Sequence, residues 1–180
     1  MMKYIAYCRK STDEPDRQIL SIEAQVEELK EFAGRENLQI VDFVAESKTA
    51  KEPGREKFNE VLKRIENGEA GGILSWHPDR LARNSVDGGK IIYLVDTGKI
   101  QNLQVPSFWF ENTPQGKFML SIAFGQSKYY VDNLSENIKR GNRQKLRRGE
   151  FPGKAPFGYL NDPISRTMVV DHKRARFVKE

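Results

Sequence analysis

The sequence holds very little of what a disulfide framework or a metal centre requires. Among its 180 residues there is one cysteine, Cys8, and there are two isolated histidines, His77 and His172. A single cysteine excludes an internal disulfide and a cysteine-based zinc site, and two distant histidines exclude a histidine cluster. We therefore expect a chain that uses no metal ion and no other cofactor.

Long apolar segments are missing as well. The N-terminal stretch MMKYIAYC is too short for the apolar part of a signal peptide, and no window reaches the length of a membrane span. We expect a cytoplasmic chain that does not associate with membranes. Hydrophobic residues make up 38% of the chain, which is enough for one substantial core but hardly for two, so we predict one main domain with an appendage.

Strand-like and helix-like segments alternate through residues 1–112. The periodicity predicts strands at KYIAYC, QIVDFVAE, GGILSW and NLQVPSFWF, and helices at SIEAQVEELKEFAG, REKFNEVLKRIENG and from Ser85 onward. Ser21 is the expected N-cap of the first helix, and Gly34 is its expected end. This order is typical of an α/β fold in which helices flank a mostly parallel sheet.

A long helix is predicted next, over residues 113–149. Thr113 is a suitable N-cap, and Pro114 suits the first turn. Its apolar positions exceed what one small domain needs, which favours a second surface such as another subunit over a long core helix. These positions are Phe118, Met119, Ile122, Ala123, Tyr129, Tyr130, Leu134 and Ile138.

The last third of that helix, KRGNRQKLRRG, carries most of the excess positive charge. The chain has a formal net charge of +5, and this stretch has six cations without an acid between them. A run of charge is commonly a solvated face, but this clustering favours contact with phosphate. We predict binding to double-stranded DNA through Lys139, Arg140, Arg143, Lys145, Arg147 and Arg148.

Polar residues follow directly after the first predicted strand, in YCRKS. Strand alternation places Tyr7, Arg9 and Ser11 on one side, with Cys8 and Lys10 on the other. Guanidinium groups bind phosphate oxygens in bidentate fashion, so an arginine beside a serine hydroxyl suits attack on a phosphodiester. A Ser-Thr pair at a strand end also commonly begins a turn, so this segment alone does not decide the function.

A second polar cluster follows the third predicted strand, in SWHPDRLARN. Asp79, Arg80 and Arg83 lie within about one helical turn, and the two arginines repel each other unless an anion lies between them. Asp79 is a candidate for orienting an arginine or for proton transfer, and the alternative is a surface salt bridge. Arg55 begins the second helix after a Pro-Gly turn, where anions bind well. Together with Ser11, these residues describe metal-free phosphoryl transfer.

The motifs resemble the serine recombinase (resolvase/invertase) family, and within it the N-terminal catalytic domain of a large serine recombinase. YCRKS is similar to the family's Tyr-x-Arg-x-Ser signature, SIEAQ to its glutamine-containing helix start, PGREKF to its middle arginine element and DRLARN to its Asp-Arg-Leu-x-Arg motif. The resemblance covers residues 3 to about 85, and a later Pro-Phe-Gly-Tyr element resembles the opening of the second domain of large members. Many relatives carry a Glu-Arg pair in the long helix, where this chain has GQSKYYVDNLSENIKRG.

The resemblance implies a site-specific DNA recombinase that needs neither ATP nor a metal ion. Its serine attacks the scissile phosphodiester to form a 5′-phosphoserine intermediate, and strand exchange and religation follow. Dimers of the chain would join into a tetramer in the synaptic complex. The implied catalytic residues are Ser11, Arg9, Arg80, Arg83, Asp79 and Arg55, with Tyr7 and Gln25 in supporting roles.

The same resemblance divides the chain into three parts. We predict a catalytic domain over 1–112, a connecting and oligomerisation helix over 113–149, and the start of a DNA-binding recombinase domain over 150–180. The last part is too short to form its own core, so we expect the chain to be a truncated part of a longer protein.

Two alternatives remain open. His77 and Arg80 have the His-x-x-Arg spacing of tyrosine recombinases, in which Tyr93, Tyr129 or Tyr130 would be the nucleophile. The alternation of strands and helices is unlike the largely helical catalytic domain of that family. A non-catalytic DNA-binding or assembly module that uses the basic helix is the other alternative, and it predicts that the serine and the arginines matter no more than other surface residues.

Overall fold

The computed structural model describes residues 2–10, 21–165 and 167–178. The chain divides into two compact units, Met1–Val131 and Asp132–Glu180. The division falls inside the long helix, so it does not test the predicted boundaries at 112 and 149, which stay predictions.

The first unit is built on a four-stranded parallel sheet. Its strands are β1 (Lys3–Arg9), β2 (Gln39–Glu46), β3 (Gly72–Ser75) and β4 (Asn102–Gln104), in the order β2-β1-β3-β4. This confirms the predicted α/β fold with a mostly parallel sheet. The fourth strand is shorter than NLQVPSFWF because Pro106 has no N–H to donate, and the chain turns there, with a bridge between Val105 and Phe108.

Four helices follow the strands of this unit: α1 (Ile22–Arg35), α2 (Glu56–Glu66), α3 (Pro78–Leu81) and α4 (Ser85–Asp96). The expected cap of α1 is confirmed, since the Ser21 hydroxyl accepts a hydrogen bond from the Ala24 N–H at 3.1 Å. Gly34 does not end the helix. The helix continues one residue further, and the left-handed residue beyond it is Asn37, with φ of 52°. The short α3 was not predicted.

The sheet has a core on each face. Ile5 and Tyr7 of β1 join the core formed with α2 and α4, whereas Ala6 and Cys8 join the core under α1. The predicted alternation of β1 is therefore confirmed for its buried positions. Leu29 of α1 is fully buried in the second core, and a side chain of that size contributes roughly 1.5–3 kcal/mol through burial.

The long helix, α5 (Pro114–Arg147), begins in the first unit. The Thr113 hydroxyl accepts a hydrogen bond from the Gly116 N–H at 3.1 Å, which confirms the predicted cap. Leu120 and Phe124 pack into the core with α2 and α4. Most of its other large apolar side chains are 44–69% exposed, more than a helix packed wholly into a core leaves: Phe118, Met119, Ile122, Tyr129, Tyr130, Leu134, Ile138 and Leu146.

The second unit contains the C-terminal part of α5 and a small hairpin. Strands β5 (Tyr159–Asn161) and β6 (Met168–Val170) pair antiparallel, and a 3₁₀ turn, Ala175–Phe177, follows them. Across the parts of the chain that the structure describes, no helix combines the length and the apolar character that crossing a membrane requires.

Candidate active site

The site lies where the two central strands end. The last residue pair between β1 and β3 is Tyr7 with Ser75, so the chain leaves the sheet from neighbouring positions on both strands. Ligands of open parallel sheets bind beyond the carboxyl ends of the strands. Arg9 is the last residue of β1, and the segment with Asp79, Arg80 and Arg83 follows β3.

Arg9 is a buried cation with few partners. Its side chain is fully buried, and its Nη1 donates to the Lys48 carbonyl at 3.2 Å. Its Nε and Nη2 have no hydrogen-bond partner among the described residues. Burial, and after it the charges of Arg83 and Arg80, lower the pKa of Arg9 to about 10, so it remains charged at neutral pH. A buried charge with unsatisfied donors is costly unless an anion approaches it.

Gln25 holds the backbone that carries Arg9. The Gln25 side-chain oxygen accepts from the Arg9 N–H at 3.3 Å, and its side-chain nitrogen donates to the Arg9 carbonyl at 3.1 Å. Strand β3 has already ended at this level, so the amide of a buried side chain on α1 replaces the missing neighbour strand. Gln25 thus satisfies two buried backbone groups, which agrees with the supporting role expected for it.

Asp79 joins the two arginines of the DRLARN motif. Its Oδ2 lies 2.7 Å from Arg83 Nη2, and its Oδ1 lies 3.3 Å from Arg80 Nε. The helix ends at Leu81 and Ala82 is extended, so Arg80 and Arg83 do not share a helical face. They converge on one carboxylate instead. The anion that relieves part of their repulsion is therefore a side chain of the chain itself.

Asp79 is also held by His77, which sequence analysis had considered only for the tyrosine recombinase alternative. His77 Nδ1 lies 2.9 Å from Asp79 Oδ1 and 3.2 Å from the Asp79 N–H, which makes His77 the N-cap of α3. Burial acts to raise the pKa of Asp79, but the His77 hydrogen bond and the charges of Arg80 and Arg83 outweigh it and hold the pKa well below its usual range. Asp79 is therefore ionised at neutral pH.

Arg55 begins α2 as expected, but its side chain turns into the core. It is 2% exposed, and Nη1 donates to the Tyr7 hydroxyl at 3.0 Å and to the Arg80 carbonyl at 3.1 Å. Nη2 donates to the Leu81 carbonyl and to Asp87 Oδ2, the latter at 3.0 Å. Both terminal nitrogens of the guanidinium therefore donate to groups of the protein, including two backbone carbonyls of α3. Contrary to what the sequence had suggested, the side chain is not exposed to an anion at the helix start.

Glu46 caps α2 in place of Arg55. Its carboxylate accepts from the N–H groups of Lys57 and Phe58, each at 3.2 Å, and from the Tyr7 hydroxyl at 2.7 Å. Tyr7 therefore donates to Glu46 and accepts from Arg55, and burial raises its pKa well above the usual range. Tyr7 is a neutral link in a buried network, in keeping with a supporting role.

Sequence analysis missed three members of this arrangement: Glu46, Asp87 and Trp76. Asp87 is fully buried and pairs with Arg55, while Arg80 lies over the Trp76 ring at 5.7 Å from its centroid. The only available signal was position, since Glu46 ends a strand and Trp76 directly follows one. Nothing in periodicity distinguishes a buried acid at such a place from a solvated one.

Other predicted residues lie away from this cluster or beyond what is described. Ser11 lies outside the described residues. Tyr93, Tyr129 and Tyr130 are 65–69% exposed, on α4 and α5. The six predicted DNA contacts are all exposed and follow Asp132, so they belong to the second unit; they are Lys139, Arg140, Arg143, Lys145, Arg147 and Arg148.

Comparison with known proteins identifies the family. Residues 4–151 match the family model of the resolvase N-terminal domain, and the chain belongs to this family. The N-terminal catalytic domain of TP901-1 integrase has a similar fold, with a TM-score of 0.54 and 21% identity, over 72% of this chain and 97% of that one. The C-terminal catalytic domain of ISC1926 TnpA, an IS607-like serine recombinase, gives a TM-score of 0.50 and 15% identity, over 79% and 84% of the two chains.

A curated relative is much longer than this chain. It is the uncharacterized protein y4bA/y4pH of Sinorhizobium fredii, 22% identical over 134 residues. These residues are 74% of this chain but only 19% of the relative. The family and its α/β fold also disfavour the tyrosine recombinase alternative, whose catalytic domain is largely helical.

Proposed function

We propose that the chain is the catalytic part of a site-specific DNA recombinase of the serine type. Ser11 attacks a scissile phosphodiester, forms a 5′-phosphoserine bond and releases a 3′ hydroxyl, and the bond is reversed after strand exchange. Arg9, Arg80 and Arg83 hold the phosphate and stabilise the charge that develops on it. Because the bond energy is retained in the phosphoserine, the reaction requires no ATP, and the three arginines are the proposed charge stabilisers in place of a metal ion.

The observation that carries this proposal is the unsatisfied guanidinium of Arg9. It is fully buried at the end of a central strand, close enough to Arg80 and Arg83 for their charges to lower its pKa. Asp79 supplies one negative charge to this group of three cations. A phosphodiester would supply a second negative charge, and its two non-bridging oxygens would accept hydrogen bonds from Nε and Nη2 of Arg9.

Within this proposal Asp79 orients and does not act as an acid. Both of its oxygens are engaged by Arg80, Arg83 and His77, and its pKa lies well below the usual range. A carboxyl that is ionised at neutral pH has no proton to give to a leaving oxygen. Its contribution is to fix the arginines in the geometry that the phosphate meets.

The partners that we propose are double-stranded DNA and further copies of the chain. The exposed cations at the end of α5 suit contact with phosphate, and the exposed apolar side chains along the same helix suit a dimer that joins into a tetramer. Lys139 already lies 4.0 Å from Glu136, so its contribution to DNA binding is expected to be smaller than that of Arg143.

The test is to trap and map the covalent adduct. The chain, in the full length that its gene encodes, is incubated with sheared genomic DNA from its own organism and then denatured. Mass spectrometry identifies the modified residue, and sequencing of the attached DNA identifies the site. We expect the adduct on Ser11, with cleavage that survives EDTA, and we expect Ser11→Ala to abolish it while DNA affinity stays nearly unchanged.

Ser85→Ala is the matched control, because Ser85 is an exposed serine at the start of α4 and is expected to leave the adduct yield unchanged. An adduct on a tyrosine, or complete loss of activity in the chelator, would overturn the serine mechanism. Equal effects of Ser11→Ala and Ser85→Ala would favour the non-catalytic DNA-binding module.

A further inference from the structure

A buried ion pair lies behind the arginines that we propose for the phosphate. The side chains of Arg55 and Asp87 are 2% and 0% exposed, and Arg55 Nη2 lies 3.0 Å from Asp87 Oδ2. Arg55 stands at the start of α2, and Asp87 lies in the first turn of α4. Because neither side chain reaches solvent, the pair acts on a bound DNA only through other residues.

Arg55 connects the pair to the backbone of α3. Its Nη1 donates to the Arg80 carbonyl at 3.1 Å, and its Nη2 donates to the Leu81 carbonyl. These are the last two carbonyls of a four-residue helix. Carbonyls at the end of a helix have no partner within the helix, so the guanidinium supplies the donors that a further turn would supply. The direction in which the Arg80 side chain leaves the backbone therefore depends on the position of Arg55.

Asp87 holds the other end of the same segment. Its Oδ2 also accepts from Asn84 Nδ2 at 2.8 Å, and its N–H donates to Asn84 Oδ1 at 2.9 Å. Asn84 is the N-cap of α4 and directly follows Arg83. Ala82 and Asn84 are both extended, with φ of −148° and −137°. Arg83 therefore lies in an extended link that Arg55 holds at its start and Asp87 holds at its end.

This link sets the spacing of two side chains that meet on one carboxylate. Arg80 Nε and Arg83 Nη2 lie 3.3 Å and 2.7 Å from the two oxygens of Asp79. Donors stabilise a developing charge best when they are already in place before the reaction. A displacement of about 1 Å can cost roughly 10²-fold in rate. The contacts of Arg55 and Asp87 therefore bear directly on the geometry that a phosphate would meet.

The ion pair is poorly arranged for stability alone. Asp87 Oδ1 and Arg55 Nε are buried and have no hydrogen-bond partner among the described residues. A buried ion pair regains the free energy of its desolvation only when its remaining polar atoms are satisfied, and apolar side chains of similar size are often as stable. Apolar side chains would not hold the link between α3 and α4 by hydrogen bonds, as this pair does.

We propose that Asp87 is a positioning residue, which acts through Arg55 and Asn84 to hold Arg80 and Arg83 where they meet the phosphate. This proposal rests on the proposed function, because the phosphate belongs to it. The role requires the charge of Asp87. An uncharged side chain leaves Arg55 as a buried cation without its counter-charge, and the guanidinium then no longer has a fixed position under α3.

The test variant is Asp87→Asn, which keeps the size of the side chain and removes its charge. With the complete protein and the DNA site recovered from its adducts, we expect the rate of adduct formation at saturating DNA to fall by about 10- to 100-fold. We expect DNA affinity to stay within about twofold, because the change affects the reacting geometry and not the contacts that bind DNA. Asp96→Asn is the matched control, since Asp96 ends the same helix and pairs with Lys117 at the surface, and it should react like the unsubstituted protein.

Two further variants separate loss of position from loss of stability. Ile91→Val shortens a fully buried side chain of α4 outside the network, so it should lower the free energy of unfolding and leave the rate of the folded protein unchanged. In an Arg80→Ala background, Asp87→Asn should cost no more than about threefold, because the residue through which it mainly acts is gone. A purely structural loss would multiply in full with that of Arg80→Ala.

Asn84→Ser provides the same test if Asp87→Asn does not fold. Serine keeps the N-cap of α4 and removes the amide that donates to Asp87. We expect the folded variant to react more slowly by at least about threefold, since Arg55 still holds the carboxylate from the other side.

The outcomes separate this proposal from the one on which it rests. A full rate in folded Asp87→Asn or Asn84→Ser, or a loss that multiplies in full with that of Arg80→Ala, would show that Asp87 serves only the fold. An unsubstituted protein that forms no adduct on Ser11 would instead contradict the proposed function itself.

Discussion

Two arginines of this chain are about equally buried, yet they differ in how fully the protein satisfies them. Arg55 donates to two backbone carbonyls, a tyrosine hydroxyl and the buried carboxylate of Asp87. Arg9 donates to a single carbonyl, and two of its nitrogens have no partner in the described part of the chain. Removing one partner of a buried pair such as Arg55–Asp87 typically costs about 3–5 kcal/mol, because the other charge is left unpaired. Arg9, in contrast, shares the single charge of Asp79 with Arg80 and Arg83.

The arginines that face Asp79 are expected to act on the reaction rate. Arg80→Ala and Arg83→Ala should each lower the rate of adduct formation by at least about 10²-fold, since each removes preorganised charge from the phosphate. Arg64→Ala is the matched control, because among the described residues Arg64 pairs only with Asp42 and Glu69. Near-normal rates in both site variants would show that Arg80 and Arg83 form only structural salt bridges with Asp79 and do not act on the phosphate.

Asp79 should also make the stability of the fold depend on pH. Its pKa is lower in the folded chain than in the unfolded chain, so its stabilising effect is complete above the unfolded value of about 3.9 and is lost as the pH falls below it. Urea unfolding of the parent chain and of Asp79→Asn is therefore expected to differ most near neutral pH. The difference should shrink below about pH 4. A difference that does not change with pH would contradict the assigned ion pairs.

At the scale of the elements, the start of α5 packs closely against the chain before it. A Cβ on Gly116 would lie 1.9 Å from the backbone oxygen of Glu111, so Gly116→Ala is expected to displace the chain before the helix and to lower the free energy of unfolding. Gly125 lies in the same helix with open space around it, so Gly125→Ala is expected to stabilise the helix by roughly 0.5–1 kcal/mol. Denaturant unfolding of both variants provides the measurement. If Gly116→Ala is as stable as Gly125→Ala, then α5 begins in a different way from the one described.

Periodicity predicted the elements well because each one buries a regular set of side chains. The range of β2 was predicted to the residue, and the caps of α1 and α5 were identified from Ser21 and Thr113. The short α3 was missed because four residues carry no periodicity, and its cap is a histidine, which is not a usual one.

The sequence predicted which residues lie at the carboxyl ends of the strands better than it predicted their contacts. Motif spacing predicted that Arg9 and the Asp79 cluster lie close together, since Arg9 ends β1 and the Asp79 segment follows the neighbouring parallel strand β3. It did not reveal that Arg55 turns inward, because the acceptors that hold it are the backbone carbonyls of Arg80 and Leu81 and the distant Asp87. Pairings of this kind depend on tertiary packing and leave no mark in a local pattern.

At the scale of the whole molecule, the groups that we propose for the chemistry and those that we propose for DNA attachment belong to different units. The groups suited to a phosphate lie in the first unit, whereas the run of exposed cations belongs to the second. Contacts with phosphate position a protein on DNA, and contacts with base edges specify the sequence. The sequence offers many candidates for the first kind of contact and hardly any for the second, so we expect these 180 residues to bind DNA weakly and with little preference for sequence.

The salt dependence of binding tests which cations touch DNA. Each phosphate that is neutralised contributes roughly −0.9 to the slope of log affinity against log salt, because counterions are released. Replacing Arg143, Arg147 and Arg148 with alanine is therefore expected to flatten the slope by about two to three units without changing the stability of the first unit. The control is a triple variant with the same loss of charge at exposed positions of the first unit, in which Arg35, Lys63 and Lys99 are replaced with alanine. This variant should leave the slope nearly unchanged. Equal flattening by both triple variants would mean that net charge, rather than the end of α5, determines the affinity.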